Sequence, residues 1–381
     1  MHFMVLSSFI IVLAVFFLVI AVFSFLLNGL LLKFSSTLGI RNNVETIIRW
    51  SNTSKPALGG ISFFICFLIS VAGYAVFFSE NNPLYHDKQL LGILGSSGIA
   101  FLMGLSDDAY NTKPVFKLIT QILCGVILIF SGIYISVFEN MTINYCLTIF
   151  WVVGMMNSIN MLDNMDAITG IVSSFIILAS IAMMFIQSTW DGNMIALPEF
   201  SVLYLLMLVG VLASISGFLF YNWHPSKIFM GDTGSQFLGV FLAAMGIIFF
   251  WNGTLSGETL NEPGPVTEHI IIVVLSFIVP IIDTTTVTIN RILKKKSPFI
   301  GGRDHTTHSL SYLGFSDGQV ALLFAGISFI SLVFIILINN FIGNWKIWHF
   351  LFFSLYFLIV FSGLFICSRM RKVMEKTKAD F

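Results

Sequence analysis

The sequence predicts an all-α, polytopic integral membrane protein with about eleven transmembrane helices, its N-terminus outside and its C-terminus cytoplasmic. Three observations lead there. Of 381 residues, 57% are hydrophobic and only 10% are charged, too few polar side chains to cover a water-soluble surface. Apolar runs separated by short polar segments recur as far as residue 367, each close to the ~20 residues a helix needs to cross a bilayer. Lys and Arg, finally, fall almost wholly on alternate connecting segments.

The first run, 3–27, is too long for a signal-peptide core and lacks a basic n-region, so it is expected to be a retained span. Further spans are expected at 58–79, 89–106, 117–136, 143–159, 168–187, 201–219, 236–252, 268–289, 319–339 and 347–367. The glycines between Gly92 and Gly104 suggest close helix packing. Asp283 is the one carboxylate placed inside a span, after Pro280, where pairing with Arg291, with a backbone donor, or a direct functional role all account for it. With the N-terminus outside, 17 of the 19 basic residues lie on the cytoplasmic side, and only Lys88 and Lys346 do not. Residues 1–367 read as one transmembrane domain and 368–381 as a basic cytoplasmic tail. The outer segments 80–88 and 252–268 read as solvated connectors.

Cys66, Cys124, Cys146 and Cys367 are spaced too widely for a zinc or redox motif. A net charge of zero and the lack of a soluble basic domain argue against nucleic acid as a partner. The conspicuous polar motifs all fall on the side that Lys and Arg mark as cytoplasmic, although the acids and histidines played no part in fixing that side. Asp107 and Asp108 end an apolar run, and adjacent carboxylates repel unless a cation or solvent relieves them. Lys117 follows, either as a membrane-surface anchor or facing a phosphate. Asn160, Asp163 and Asp166 are three apart and share one face if the segment is helical. In Tyr221 to Ser235, Gly231 and Gly234 permit tight turns, Asp232 is a hard oxygen ligand, and Thr233 and Ser235 suit phosphate oxygens near a helix start. Phe229 is placed either to stack on a base or to pack. Arg303, His305 and His308 form a basic loop able to meet a diphosphate or lipid phosphate.

In this order the motifs resemble the polyprenyl-phosphate N-acetylhexosamine-1-phosphate transferases, from Lys55-Pro-Ala-Leu-Gly-Gly60 through Asp107-Asp108, Asn160 to Asp166, Phe229 to Ser235 and Pro280 to Arg291, to Arg303-Asp-His-Thr-Thr-His308. The resemblance implies an enzyme of the bacterial cytoplasmic membrane, with its site facing the cytoplasm. It would use Mg²⁺, with Mn²⁺ as the alternative, to transfer a sugar 1-phosphate from a UDP-sugar to undecaprenyl phosphate. It implies that Asp107 deprotonates or positions the lipid phosphate, supported by Asp108, and that Asp232 is the metal ligand. Asn160 joins the substrate set, Asn222, Phe229 and Asp166 line the uridine site, Lys117 faces phosphate, and Asp163 supports the nucleotide or metal region. Thr307 stands where the commoner form of the motif, His-any-His-His, has histidine, so the metal or diphosphate contacts usually assigned there are made by His305, His308 and Arg303 or are absent. That departure favours the GlcNAc-type branch, which primes O-antigen, teichoic acid or capsule-like polymers. Assembly as a homodimer is compatible with this reading. A transporter is the rival reading, but transporter sites lie near the bilayer midplane, where only Asp283 is expected.

Overall fold

The structure is a computed structural model that describes residues 2–35, 55–77, 87–186, 188–191, 194–197, 201–253, 265–297, 302 and 304–379. A short strand, β1 (His2–Val5), leads into α1 (Leu6–Lys33), followed by α2 (Gly59–Phe77), α3 (Lys88–Tyr110), α4 (Pro114–Phe130), α5 (Met141–Leu162) and α6 (Ile168–Ile186). Strands β2 (Thr189–Asp191) and β3 (Met194–Leu197) precede α7 (Ser201–Asn222) and α8 (Gly231–Gly246), which runs on into a π-helical turn, Ile247–Trp251. The chain ends with α9 (Val266–Ser276), α10 (Ile278–Leu293), α11 (Thr306–Tyr312), α12 (Asp317–Phe341) and α13 (Ile347–Ala379). Among the described residues, nine helices are long and apolar enough to cross a membrane, and α9 with α10 makes a tenth, bent by 82°. The protein is an all-α membrane protein.

Four boundaries differ from expectation, each for a local reason. Residues 2–5 are not helical: β1 pairs antiparallel with β3, which also pairs with β2, so the backbone groups ahead of α1 are satisfied by a small sheet. Residues 117–136, expected as an eleventh span, form the 17-residue α4, about 25 Å long, which is not among the helices long enough to cross a membrane. It starts at Pro114, whose missing N–H costs nothing at a helix start, and it ends ahead of Gly132, which takes a left-handed φ of 87°. The run expected as one helix at 268–289 breaks at Phe277, because the ring of Pro280 crowds the carbonyl four residues earlier, at Ser276. Helix α13 continues through the expected tail to Ala379.

Helix α8 is the centre of the bundle: every residue from Thr233 to Gly246 is buried, with α2, α3 and α5 packed around it. Glycine makes this contact possible. A Cβ on Gly60 would lie 2.1 Å from the backbone nitrogen of Gly234, and one on Gly104 would lie 2.3 Å from the carbonyl oxygen of Asp232. The N-terminus of α8 is thereby wedged between α2 and the end of α3, which brings Asp232 beside Asp107 and Asp108. By contrast, much of α1 and α13 presents large apolar side chains outward, as a lipid-facing helix must.

Candidate active site

The site forms where α3 and α5 end and α4, α6 and α8 begin. Asp108 anchors it: its carboxylate accepts from the backbone N–H groups of Asp232 and Thr233 at 2.9 and 2.8 Å and from Thr233 Oγ1 at 2.6 Å. These are the first donors of α8, so Asp108 caps that helix from a neighbouring one. Gly231 turns the chain into the helix with φ 70°, a conformation that side chains resist.

Asp107 accepts from the backbone N–H of Thr112 at 2.9 Å and from its hydroxyl. Lys117 Nζ lies 2.9 Å from Asp107 Oδ2 and 2.8 Å from Asp232 Oδ2, one ammonium serving two carboxylates. Asn160 donates its amide to Asp232 Oδ1 and, at 2.8 Å, to Ser235 Oγ. Helix α5 ends at Leu162, so Asn160, Asp163 and Asp166 do not share a helical face as expected; the turn after the helix sends Asp166 elsewhere. Asp163, at the helix end, accepts no hydrogen bond from any described residue. Burial, together with the carboxylates of Asp232, Asp108 and Asp166, pushes its pKa well above the ordinary value.

A second knot surrounds Asp166. Its oxygens accept from Ser226 N and Oγ at 3.0 and 2.6 Å and lie 3.0 Å from His224 Nδ1, while Lys55 Nζ stands at 3.8 Å. Burial raises the pKa of Asp166, but the Ser226 hydrogen bonds, the Lys55 charge and His224 outweigh it and hold the group below the ordinary value. Lys55 also donates to Ser226 Oγ at 2.9 Å and lies 5.1 Å from the centre of the Phe229 ring, a cation–π contact. Asn222 is buried: it accepts from Ala167 N at 3.0 Å and donates to the carbonyl of Ile228 at 2.8 Å. It therefore ties Ala167 to the loop that carries Phe229.

The third motif is placed differently from expectation. His305 and His308 are buried, their rings in edge contact with centroids 5.6 Å apart. His305 Nδ1 lies 2.8 Å from Asp283 Oδ2, and Asp283 Oδ1 accepts from Thr306 N and Oγ1 at 2.8 and 2.6 Å. Asp283 thus takes the backbone-donor option, while Arg291 pairs in two-pronged fashion with Asp304 at 2.9 and 2.7 Å. Burial works against the charge on Asp304, yet Arg291 holds its pKa below the ordinary value. Thr307 Oγ1 donates to Asn164 Oδ1 at 2.6 Å, docking α11 beside Asp163. Arg303 lies outside the described residues.

Asp163 and Asp232 fit a divalent cation chemically: hard oxygens, mutually repulsive, one of them without a hydrogen bond among the described residues. The only His/Cys/Asp/Glu trio among the described residues whose ligand atoms all lie within 4.8 Å of one another is Asp166, His224 and Asp317, and the donors just described already occupy its Asp166. Sequence reasoning missed Asp317 in this cluster, because its only local signal is the helix start at Ser316.

Carboxylates, an ammonium and a glycine-seated helix start at one end of a lipid-facing bundle suit a membrane-embedded enzyme of the group-transfer class, and the comparisons with known proteins show that class. The chain belongs to glycosyl transferase family 4, whose family model matches residues 90–250, a stretch that includes Asp107, Lys117, Asp163 and Asp232. It is 32% identical over 284 residues, 72% of this chain and 71% of the relative, to a probable undecaprenyl-phosphate N-acetylglucosaminyl 1-phosphate transferase of Bacillus subtilis. It is 26% identical over 280 residues (70% and 68% of the two chains) to the undecaprenyl-phosphate α-N-acetylglucosaminyl 1-phosphate transferase of Escherichia coli O157:H7. A decaprenyl-phosphate N-acetylglucosaminephosphotransferase of Mycobacterium leprae is 24% identical over 286 residues, 71% of this chain and 70% of its own. Members of the family are generally dependent on a divalent metal.

Proposed function

We propose that the protein transfers GlcNAc 1-phosphate from UDP-GlcNAc to undecaprenyl phosphate at the cytoplasmic face of the bacterial inner membrane, releasing UMP and starting a lipid-linked envelope polysaccharide. The observation that carries this reading is the ammonium of Lys117 held between Asp107 and Asp232, near Asp163, which accepts no hydrogen bond among the described residues. The printed names of the relatives support the sugar and the carrier. The excess of Lys and Arg at this end of the bundle supports the orientation.

A phosphate oxygen of the lipid attacks the β-phosphorus of the nucleotide sugar, the bond from that phosphorus to the bridging oxygen breaks, and UMP departs with the bridging oxygen. Such a transfer needs alignment and charge neutralisation more than covalent help from the protein. Asp107 accepts or orients the proton of the lipid phosphate, and Lys117 turns from the carboxylates towards the phosphate oxygens. Asp163 and Asp232 are the residues that would hold Mg²⁺, which when bound supplies charge to the diphosphate. Phe229 and Lys55, braced by Asp166 and Asn222, form the wall against which the uridine rests. Arg303 is carried as a diphosphate contact by the family resemblance alone, while His305 and His308, buried in edge contact beside Asp283, support the end of the site where α11 docks.

The test is direct. Purified protein with Mg²⁺, undecaprenyl phosphate and a panel of UDP-N-acetylhexosamines should release UMP with UDP-GlcNAc and yield a lipid whose mass matches the diphosphate sugar, and EDTA should stop both. Absence of UMP under these conditions, or release without a lipid product, would refute the assignment.

A further inference from the structure

A second polar layer lies one helical turn beneath the charged residues, deeper in the bundle. Gln121 follows Lys117 by four residues on α4, Asn157 precedes Asn160 by three on α5, and Gln236 follows Asp232 by four on α8. Such spacings stack each amide below its partner on the same helical face. The three amides also bond to one another across the helices. Gln121 Nε2 donates to Asn157 Oδ1 at 3.3 Å and to Gln236 Oε1 at 3.2 Å, while Asn157 Nδ2 donates back to Gln121 Oε1 at 2.8 Å. Gln121 and Gln236 are 1% and 0% exposed.

Apart from the ion pairs of Lys117, helix α4 has no buried side chain near its start. Its buried residues are Gln121, Cys124, Gly125 and Leu128, and none lies between Pro114 and Thr120, where Val115, Phe116 and Ile119 are exposed. Gln121 is therefore the first fixed point inward from Lys117. Between helices in lipid, apolar side chains give little register, because a lipid tail is as apolar as a neighbouring leucine; interhelical amide bonds do give it. A rotation or slide of α4 moves Lys117 Nζ directly, since nothing buried lies between them.

We propose that the Gln121–Asn157 pair, joined by Gln236, is the positioning element that sets the rotation and depth of α4 and so holds Lys117 Nζ between Asp107 and Asp232. The catalytic consequence rests on the function proposed above, whereas the placement of Lys117 does not. Gln236 is the lesser member. Its Nε2 has no hydrogen-bond partner among the described residues, so replacing it removes one bond together with one unsatisfied donor.

The experiment uses the full chain, purified in detergent, with two readouts. Lys117 is acetylated with acetic anhydride and its labelling rate is measured by peptide mass spectrometry against Lys113 as internal reference; kcat and KM are measured for UDP-GlcNAc. In Gln121→Leu and in Asn157→Leu, labelling of Lys117 relative to Lys113 should rise about 10-fold, because an amine no longer held against the carboxylates of Asp107 and Asp232 is open to the reagent. kcat should fall about 10- to 100-fold while KM stays within about 3-fold, the signature of a misplaced group rather than a lost binding contact. The double variant should be no worse than either single one, since both remove the same pair, and Gln236→Leu should be milder than both. If Gln121→Leu does not fold, Gln121→Met keeps a long unbranched side chain without the amide and carries the same expectation. Unchanged labelling of Lys117 in a folded variant, or additive losses in the double variant, overturns the proposal. Raised labelling in a protein that releases no UMP, in wild type or variant, supports the placement and removes the transferase reading instead.

Discussion

Asp166 and Asp232 lie at the same end of the bundle, and what surrounds them differs in kind. Around Asp166 the close donors are a backbone N–H and a hydroxyl from Ser226, with His224 beside them, and the Lys55 ammonium stands farther off at 3.8 Å. Around Asp232 the charge is met by the long, flexible side chain of Lys117 and by Asn160, with Asp163 left without a hydrogen bond among the described residues. Fixed donors make a wall. A flexible ammonium among surplus carboxylates makes a place where phosphates and a cation can enter and the charges can rearrange. The comparison teaches that acidic motifs of similar appearance divide into one that shapes the pocket and one that handles charge.

If that division is right, substitutions should separate along it. The largest effect is expected from Asp232→Asn, which keeps shape and removes charge: turnover should fall at least about 1,000-fold, with the thermal midpoint little changed. A radiolabelled-UDP-GlcNAc assay beside a thermal melt checks this, and activity within a few-fold of wild type would put Asp232 among the shaping residues. Next comes Asp163→Asn, for which about a 100-fold loss of kcat is expected, together with a higher Mg²⁺ concentration for half-maximal rate, read from a metal titration.

Most of the apolar helices were legible because a membrane helix announces itself by apolar length alone; each expected span falls on a helix or a broken pair, but α4 is shorter than the helices able to cross a membrane. The break at Phe277 was not, because the run is apolar on both sides of it; Pro280 was visible, but a proline in a span bends or is absorbed according to its neighbours. Asp107, Asp108, Asp163 and Asp232 stood out as carboxylates beside apolar runs, and the structure brings them together at one end of the bundle. What each carboxylate does locally was hidden. That Asp108 caps α8, or that Asn222 bonds to backbone groups, depends on contacts between residues 124 and 55 apart in sequence. The amides of Gln121 and Gln236 were passed over because a lone amide in an apolar run carries no pattern until its neighbours on other helices are known.

A smaller effect tests the docking of α11. Asp283→Ala leaves Thr306 N and His305 without their buried acceptor, and a loss of about 3 kcal/mol is expected on general grounds for a broken buried pair. It should appear as a lower thermal midpoint, with activity falling about 10-fold as α11 shifts from Asn164. An unchanged melt would mean that the Asn164–Thr307 bond alone positions the helix.

The smallest effect is expected in the wall. Asp166→Asn should raise KM for UDP-GlcNAc about 10-fold with kcat within about 3-fold, and should cost about 1–3 kcal/mol of stability at pH 7. Here the sign with pH is fixed. Because the folded pKa of Asp166 is held below its ordinary value, its stabilisation is present above the ordinary carboxylate range and fades as pH falls through the folded value. Thermal melts of wild type and Asp166→Asn should therefore converge on acidification, and a gap that widens towards low pH would contradict the assignment.

The most direct measurement sets the two regions side by side: UMP binding by calorimetry together with kcat, for Asp232→Asn and Asp166→Asn in the same preparation. UMP affinity should persist in Asp232→Asn while turnover is lost, and should weaken in Asp166→Asn while turnover at saturation survives. The opposite pattern, with UMP binding lost at Asp232 and chemistry lost at Asp166, would contradict the account.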